Sequence, residues 1–276
     1  MTNQLTTQPQ TLEIMTRIRS VPISGPSFDW KGARDKTVRN LAECKVIESA
    51  VSGDDLVLEK LIDASNLLPI AVLDRTVKVA SAVGLINIPG KGVATGFMIS
   101  HNLMMTNNHV FGAPEELSGA NIVMNYQRDI NGQFLKVEKY EPSGEVFITS
   151  PDLDVTVFDV KGSPGLVHGH IDVTSPPMIF EGLDVIIIQH PGGQEKQVAM
   201  SDNDVVYVDD RVIHYLTDTL NGSSGAPITN DKGEWVGLHH AGGLIPEPAT
   251  GKKYYRNEGI SGVAIAQFLK DHDLDL

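Results

Sequence analysis

The stretch Asp218-Thr219-Leu220-Asn221-Gly222-Ser223-Ser224-Gly225-Ala226-Pro227 decides how the rest of the chain is interpreted. A serine enclosed by glycines can hold one hydroxyl and two backbone N–H groups in the fixed arrangement of an oxyanion hole. Gly222 can aim its N–H inward, and Gly225 lets the chain leave without an obstructing side chain. Ser224 is therefore the candidate nucleophile, with its own N–H as the second donor. The same pattern is also typical of an ordinary turn, so a base and an acid must be found elsewhere.

The composition predicts a soluble chain with one large or two smaller domains. The chain has 276 residues, of which 41% are hydrophobic, enough for a sizeable core. The N-terminus has no basic start followed by an apolar run, and no stretch offers about 18 unbroken apolar residues, so neither export nor a membrane span is expected. The single Cys44 cannot form an internal disulfide, which also favours a cytoplasmic location.

The charge balance argues against one class of partner. The chain carries 22 Lys and Arg against 35 Asp and Glu, a formal net charge of -13. A chain this acidic repels phosphate backbones, so nucleic acid is not expected to bind.

The hydrophobic pattern divides the chain near residue 77. The spacing of one buried helix face occurs twice in the first part, in Val38, Leu41, Ala42 and Val46 and again in Leu58, Leu61 and Ile62. A third helix or an extended lead-in follows Pro69 and ends near Ala82. Residues 1–77 are therefore predicted to form a helical extension with a regulatory or docking role.

From residue 78 onward the pattern changes to short apolar segments separated by glycine-rich turns. The predicted strands are 83–88, 93–99, 121–126, 147–148, 155–160, 184–189, 205–208, 212–216, 235–239 and 262–265. Many short strands at this spacing are typical of an antiparallel barrel or sandwich. The last segment, 263–272, is predicted to end in a helix.

Two segments upstream of the serine supply the base and the acid. His109 stands at the end of the apolar strand that begins at Leu103, and a strand end is a rigid mount for a base. Asp154 opens a predicted strand, where its carboxylate can fix the tautomer of an imidazole and stabilise the imidazolium. Asp152 is the competing acid. Asp154 is preferred because it directly precedes the apolar run.

Three ordered motifs resemble the signatures of trypsin-like serine peptidases with the chymotrypsin fold. They are Thr106-Asn107-Asn108-His109-Val110, Asp154-Val155-Thr156-Val157 and Gly222-Ser223-Ser224-Gly225-Ala226-Pro227. Their order, His then Asp then Ser, is the order of that family. The resemblance implies His109, Asp154 and Ser224 as the catalytic triad and the N–H groups of Gly222 and Ser224 as the oxyanion hole, with no metal and no cofactor.

The same resemblance implies the architecture. The expected fold is mainly β, with two antiparallel six-stranded barrels at about 78–160 and 161–270 and the site in the cleft between them. These barrels lie within a peptidase domain at 78–276, which carries the C-terminal helix and follows the N-terminal helical extension.

The segment Trp235-Val236-Gly237-Leu238-His239-His240-Ala241-Gly242-Gly243 is similar to the strand beside the specificity pocket of bacterial glutamyl endopeptidases and related intracellular peptidases. This likeness implies that His239 and Thr219 bind an acidic P1 side chain, and that His240, Ala241 and Gly242 pair with the substrate backbone. Asp218 stands where an acidic residue at the pocket base selects Arg or Lys. The P1 preference therefore stays open between acidic and basic, with the acidic one favoured.

Three functions are compatible with these motifs. The favoured one is a cytoplasmic serine endopeptidase that cleaves protein or peptide substrates, because all three triad positions are occupied. The alternative is a catalytically silent binding module with a peptidase fold. In a third interpretation, a partner protein that engages the N-terminal helices gates the peptidase. Ser223 replaces the aspartate that captures the new N-terminus of secreted members, so activation by that salt bridge is not expected.

Overall fold

Two antiparallel sheets of seven strands each form most of the computed structural model, which describes residues 68–201 and 203–274. The first sheet has the order β5-β4-β1-β2-β3-β7-β6. Its strands are β1 (Val83–Ile88), β2 (Gly92–Met98), β3 (Leu103–Thr106), β4 (Asn121–Met124), β5 (Glu138–Tyr140), β6 (Pro142–Ser150) and β7 (Val155–Val160). The neighbouring strands β3 and β7 are buried along their whole length, including the polar residues Thr156 and Asp159 of β7.

The first sheet curls until its two edges meet. Strands β5 and β6 stand at opposite ends of the strand order, yet only Glu141 separates them in the chain. Proline lacks an N–H group for strand pairing, and Pro142 directly follows this break. The two strands are therefore segments of one bent strand, which explains why this sheet has seven strands where six were expected.

The second sheet has the order β10-β11-β14-β13-β12-β8-β9. Its strands are β8 (Ile186–Gln189), β9 (Gln197–Ala199), β10 (Val205–Val208), β11 (Val212–Tyr215), β12 (Pro227–Thr229), β13 (Trp235–Pro246) and β14 (Lys253–Ser261). The N–H of Gly182 donates to the carbonyl of Val205 at 2.8 Å, and the N–H of Val205 donates to the carbonyl of Leu183 at 2.8 Å. These bonds link the segment before β8 to β10, so the sheet also curls.

Three α-helices accompany the sheets in the described part of the chain: α1 (Ala71–Ser81), α2 (Pro164–His168) and α3 (Gly262–Asp271). The predicted third helix ending near Ala82 and the predicted C-terminal helix agree with α1 and α3. The predicted strand at 262–265 is wrong, because this segment forms the first turn of α3. Ile265 and Leu269, four residues apart, are buried on one helix face. A short apolar run fits a strand and a buried helix equally well.

Helix α1 packs onto the sheets. Its side chains Val72 and Val79 are buried in the main hydrophobic core. At its end, the carbonyl of Ala80 accepts a hydrogen bond from Lys196 Nζ at 2.6 Å. A domain boundary after residue 77 would cut this helix. The two other predicted N-terminal helices lie outside the described residues, and their role stays a prediction.

The main core joins the two sheets. It contains buried residues of the first sheet together with Trp235, Leu238 and Ile260 of the second. The rings of Phe97 and Trp235 meet across the junction with centroids 6.4 Å apart. Side chains at this junction are therefore held by both sheets. None of the helices in the described ranges is long and apolar enough to cross a membrane.

Candidate active site

His109 and Asp154 contact each other through two hydrogen bonds. The backbone N–H of His109 donates to Asp154 Oδ1 at 2.8 Å, and His109 Nδ1 lies 2.7 Å from Asp154 Oδ2. Asn107 Nδ2 donates to the carbonyl of Asp154 at 3.0 Å, which ties the end of β3 to the start of β7. Both the backbone and the ring of His109 are thus fixed by one carboxylate.

The competing acid lies elsewhere. The carboxylate of Asp152 is 3.0 Å from Arg211 Nη1, and its side chain is largely exposed. The structure therefore places Asp154, and not Asp152, beside the imidazole.

The Asp154 carboxyl is ionised at neutral pH. Burial by itself raises the pKa of this group. The hydrogen bonds from His109 and His240, with the charge of His109, outweigh that effect and lower the pKa to about 2. The site therefore holds a fixed negative charge against His109 Nδ1.

Ser224 lies in the loop before β12, in a conformation that requires glycine at two positions. Gly222 has a φ of 98°, and a Cβ there would meet the carbonyl oxygen of His190 at 2.8 Å. Gly225 has a φ of 84° and packs against Thr95 and Thr106. Left-handed backbone of this kind favours glycine. The glycines that frame Ser224 in the sequence are therefore needed to build its loop.

Ser224 and His109 line one surface cavity. Its volume is about 220 Å³, and Asn221 and Gly222 also border it. The N–H groups of Gly222 and Ser224 donate no hydrogen bond within the described part of the chain, whereas the N–H of Ser223 between them donates to Leu220. Two free donors thus stand beside the Ser224 hydroxyl. No hydrogen bond of the described residues joins that hydroxyl to His109, a contact that often tightens only when substrate binds.

A second, larger cavity contains none of the predicted site residues. Its volume is about 420 Å³, and it lies between the turn at Pro114–Leu117 and β6, with Lys161 at its wall. Size alone therefore does not mark the site.

Thr95 of β2 fastens the Ser224 loop to the first sheet, which the motifs did not predict. Its hydroxyl donates to the carbonyl of Gly222 at 2.7 Å and accepts from the N–H of His190 at 3.0 Å. Its own N–H donates to the carbonyl of Ser224 at 2.9 Å. Thr95 is 0% exposed. The residue that holds the serine loop in place is an interior threonine with no sequence signature.

His240 also contacts Asp154. Its Nδ1 lies 2.6 Å from Asp154 Oδ2, the same oxygen that contacts His109. His109, Asp154 and His240 each have a nitrogen or oxygen atom that could bind a transition metal, and these atoms lie within 4.8 Å of one another. No second group of this kind occurs among residues 68–201 and 203–274. Distances of 2.6 and 2.7 Å are hydrogen-bond lengths, so the observed cluster is hydrogen-bonded.

His239, the residue before His240 in β13, is buried and only 3% exposed. Its Nδ1 is 2.6 Å from the hydroxyl of Tyr215. Burial, together with the positive charges of His240 and His109, lowers the pKa of His239 to about 3, so the ring is neutral. Burial raises the pKa of Tyr215, so its hydroxyl keeps a proton that it can donate to Nδ1. The ring proton of His239 then resides on Nε2.

Two of the other residues predicted to line the pocket, Thr219 and Gly242, lie against Asn257 of β14. Thr219 Oγ1 donates to Asn257 Oδ1 at 2.7 Å, and Asn257 Nδ2 donates to the carbonyl of Thr217 at 2.8 Å. A Cβ on Gly242 would meet Thr219 Oγ1 at 3.0 Å. Asp218 is exposed, and its carbonyl accepts from Gln189. Asn257 was missed in the sequence, because it stands in a polar strand without a motif.

Ala241 and Gly242 lie on a strand edge. Strand β13 pairs with β12 only through residues 235–238, whereas its pairing with β14 continues to Pro246. Beyond His239 one edge of β13 is therefore unpaired in the described chain. That edge begins beside the Ser224 loop, because the N–H of Gly225 donates to the carbonyl of His239 at 3.1 Å.

Comparison with known families decides the assignment. Residues 94–238 match the family model of the trypsin-like peptidase domain. The chain belongs to the trypsin-like peptidase family. The match includes His109, Asp154 and Ser224, whereas His239 and His240 lie just beyond it.

Two curated proteins illustrate the relationships of this trypsin-like peptidase. It is 32% identical over 236 residues to the uncharacterized protein y4fB of Sinorhizobium fredii, an alignment covering 76% of this chain and 36% of that protein. It is 27% identical over 203 residues to the glutamyl endopeptidase of Staphylococcus aureus, covering 68% of this chain and 56% of that protein. The chain thus spans between about a third and just over half of the length of these relatives.

Solved structures share the fold. The active form of the Rv3671c protease from M. tuberculosis superposes with a TM-score of 0.55 at 17% identity, covering 80% of this chain and 96% of that one. A Glu endopeptidase in complex with MPD gives a TM-score of 0.52 at 17% identity, covering 70% and 90%. The predicted chymotrypsin-like fold class is confirmed.

Proposed function

We propose that this trypsin-like peptidase is a serine endopeptidase, with Ser224 as nucleophile, His109 as general base and Asp154 as the group that orients His109. The observation that carries the proposal is the paired contact of Asp154 with the N–H and Nδ1 of His109, at a cavity that Ser224 also lines. Because Nδ1 is bonded to a carboxylate, Nε2 is left to accept the serine proton. The pKa of Asp154, about 2, keeps that carboxylate charged throughout turnover.

In the proposed reaction, Ser224 Oγ attacks the carbonyl carbon of the peptide while its proton passes to His109 Nε2. The carbonyl oxygen becomes an oxyanion, to which the N–H groups of Gly222 and Ser224 donate. The C–N bond then breaks, and His109 returns the proton to the leaving amine. Water, deprotonated by His109, hydrolyses the acyl-enzyme to a carboxylic acid and restores the Ser224 hydroxyl.

The substrate is proposed to bind as an added strand. Beyond His239 one edge of β13 is unpaired by the described strands, and it leads directly to the Ser224 loop. An extended peptide can pair its backbone with such an edge, along Ala241 and Gly242, whatever its side chains are. Selectivity then depends on the pocket that receives P1.

For P1 we favour glutamate. A relative is named glutamyl endopeptidase, and the proposed pocket offers neutral polar groups on His239, Thr219 and Asn257. Because His239 is neutral, it would act as an N–H donor and not as a cation. This predicts that glutamine, which presents the same acceptor oxygen without charge, is also cleaved. An ionised Asp218 facing the pocket would instead favour Arg or Lys.

The cellular setting is proposed as cytoplasmic, with residues 1–67 binding a regulatory protein. A single cysteine and a charge of -13 support a cytoplasmic chain that does not bind nucleic acid. In the described part, the chain from α1 onward contains the whole candidate site. Gating therefore predicts that deleting residues 1–67 changes the rate of cleavage or abolishes partner binding, and a deletion with neither effect would refute it.

Digestion of a P1-randomised peptide mixture by the purified chain, read by mass spectrometry beside Ser224→Ala, tests the proposal. Cleavage after Glu and Gln by the wild type alone is expected. Cleavage after Arg or Lys would assign selectivity to Asp218. Equal cleavage by Ser224→Ala would remove Ser224 from the mechanism, and binding without cleavage by the wild type would favour a silent binding module.

A further inference from the structure

His240 occupies an irregular position in its strand. The pairing of β13 with β14 shifts between His239, opposite Gly259, and Ala241, opposite Glu258. His240 is therefore the extra residue of a β-bulge. Bulges re-aim the side chain of the extra residue and are frequent beside active sites. The His240 side chain consequently reaches across to Asp154, on the other sheet.

Asp154 Oδ2 is shared by two imidazoles. His240 Nδ1 lies 2.6 Å and His109 Nδ1 2.7 Å from this one oxygen. The two rings meet edge to face, with centroids 6.0 Å apart at 74°. The His240 side chain is 31% exposed, so protons exchange with solvent. A charge on either ring is thus felt directly by the other through the shared carboxylate.

A second carboxylate faces His240 from β14. His240 Nε2 is 3.7 Å from Glu258 Oε1, and Glu258 Oε2 is 2.8 Å from Nε2 of the fully buried His214. Among the described residues, the charged and titratable groups beside His240 are Asp154, His109, Glu258 and the neutral His239, with His214 behind Glu258. Two carboxylates, Asp154 and Glu258, therefore face His240. Negative charge exceeds positive charge around this ring unless more than one imidazole of the group is protonated.

This environment favours protonation of His240. The hydrogen bond to Asp154 raises the pKa of His240. Burial opposes the shift, and the charges of Asp154 and Glu258 add to it. A cation at this position competes with His109 for the Asp154 carboxylate, because both rings contact the same oxygen.

We propose that His240 is a positioning residue that acts through Asp154: it holds the carboxylate against His109 and, when it carries a proton, competes with a second protonated imidazole for the same oxygen. The inference rests on the proposed role of His109 as general base. Reactivity of Ser224 should then extend further into the acid range than it would with a triad alone.

The test is the pH dependence of Ser224 labelling by a fluorophosphonate in the wild type, His240→Gln and Glu258→Gln. Glutamine keeps an N–H donor at position 240 but carries no charge. We expect the acid limb of the labelling rate to move upward by about one pH unit in His240→Gln. A shift in the same direction is expected for Glu258→Gln, because the loss of that anion weakens protonation of His240. The exposed His170→Gln serves as control and should match the wild type.

An NMR titration of the wild-type imidazoles keeps the test independent of the variants and of catalysis. His109 should show two inflections, one of them coincident with the ionisation of His240. The inference would be overturned if the wild type labels normally and the acid limb of His240→Gln lies at the same pH as that of the wild type. It would also be overturned if the His109 signal does not change when His240 ionises. Failure of the wild type to label at any pH would contradict the proposed function instead, while the titration still reports on His240.

Discussion

At the scale of single residues, the site is organised around one carboxylate. Asp154 fixes the ring and the backbone of His109 and also receives His240. Its neighbours supply hydrogen bonds that are strongest when the carboxyl is ionised. In the proposed mechanism, the same contacts of Asp154 therefore serve both catalysis and stability.

The pH dependence of stability should change in Asp154→Asn. The pKa of Asp154 is about 2 in the folded chain, below its unfolded value of about 3.9. Its contribution is therefore fully present above pH 4 and is lost as the pH falls toward 2. The asparagine variant should lose on the order of 2 kcal/mol of unfolding free energy at pH 7 and show a flatter profile below pH 5.

Urea denaturation at a series of pH values measures this profile. In the same variant, Ser224 should react with the fluorophosphonate at least about a thousandfold more slowly than in the wild type, because asparagine favours the wrong tautomer of the His109 imidazole. A profile parallel to that of the wild type would contradict the assigned ionisation of Asp154.

Gly222→Ala should disable the site through the backbone. The methyl group would lie at a φ of 98° and meet the carbonyl oxygen of His190 at 2.8 Å. Gly243→Ala is the matched control, since its φ of 132° is equally foreign to alanine but nothing lies within 4 Å of its Cβ. Labelling of Ser224 should fall much further in Gly222→Ala than in Gly243→Ala. Equal losses would mean that the strained φ alone, and not the collision with His190, is responsible.

At the scale of elements, the serine loop depends on β2. The Thr95 hydroxyl links this strand to the carbonyl of Gly222 and the N–H of His190. Ser224, the proposed nucleophile, thus belongs in sequence to the second sheet but is held in place by the first.

Thr95→Val removes that link at constant volume. Two buried polar groups lose their partner, so the unfolding free energy should fall by about 1–3 kcal/mol for each. Labelling of Ser224 should slow by about 10- to 100-fold, because a small displacement of a reacting group is costly. Thr95→Ser keeps the hydroxyl and should retain most of the reactivity. Similar labelling by the valine and serine variants would show that the hydroxyl does not position the loop.

The sequence predicted the elements that carry apolar periodicity and the residues that stand in motifs. His109, Asp154 and Ser224 were named because each lies in a recognisable local pattern. Strand β14 was missed because its first part, residues 253–258, is largely polar in sequence. The contacts of Thr95 and of the bulged His240 depend on register between distant strands, which local patterns do not encode. The strand was therefore missed because of its local composition, whereas the contacts were missed because they arise from pairing between distant strands.

At the scale of the molecule, the two sheets and α1 all contribute side chains to the main hydrophobic core. Val72 and Val79 of α1 lie in the cluster that also contains Trp235 of β13. We therefore propose that the peptidase domain includes α1 (Ala71–Ser81).

Two truncations test this boundary. Removing residues 1–67 leaves α1 in place, whereas removing residues 1–81 exposes the surface that Val72 and Val79 cover. The shorter chain should lose on the order of 3 kcal/mol relative to the longer one, since each buried valine contributes about 1.5 kcal/mol or more. Thermal unfolding of the two chains measures the difference. Equal midpoints would place α1 outside the domain.

The most direct test of the central claim is the site of covalent labelling. The purified chain would be treated with a fluorophosphonate at neutral pH, and the adduct mapped by mass spectrometry beside Ser224→Ala and His109→Gln. We predict a single adduct on Ser224 in the wild type, none in Ser224→Ala, and a greatly slowed reaction in His109→Gln. A wild type that forms no adduct on Ser224, or a His109→Gln variant that reacts as fast as the wild type, would contradict the proposed Ser224 and His109 pair.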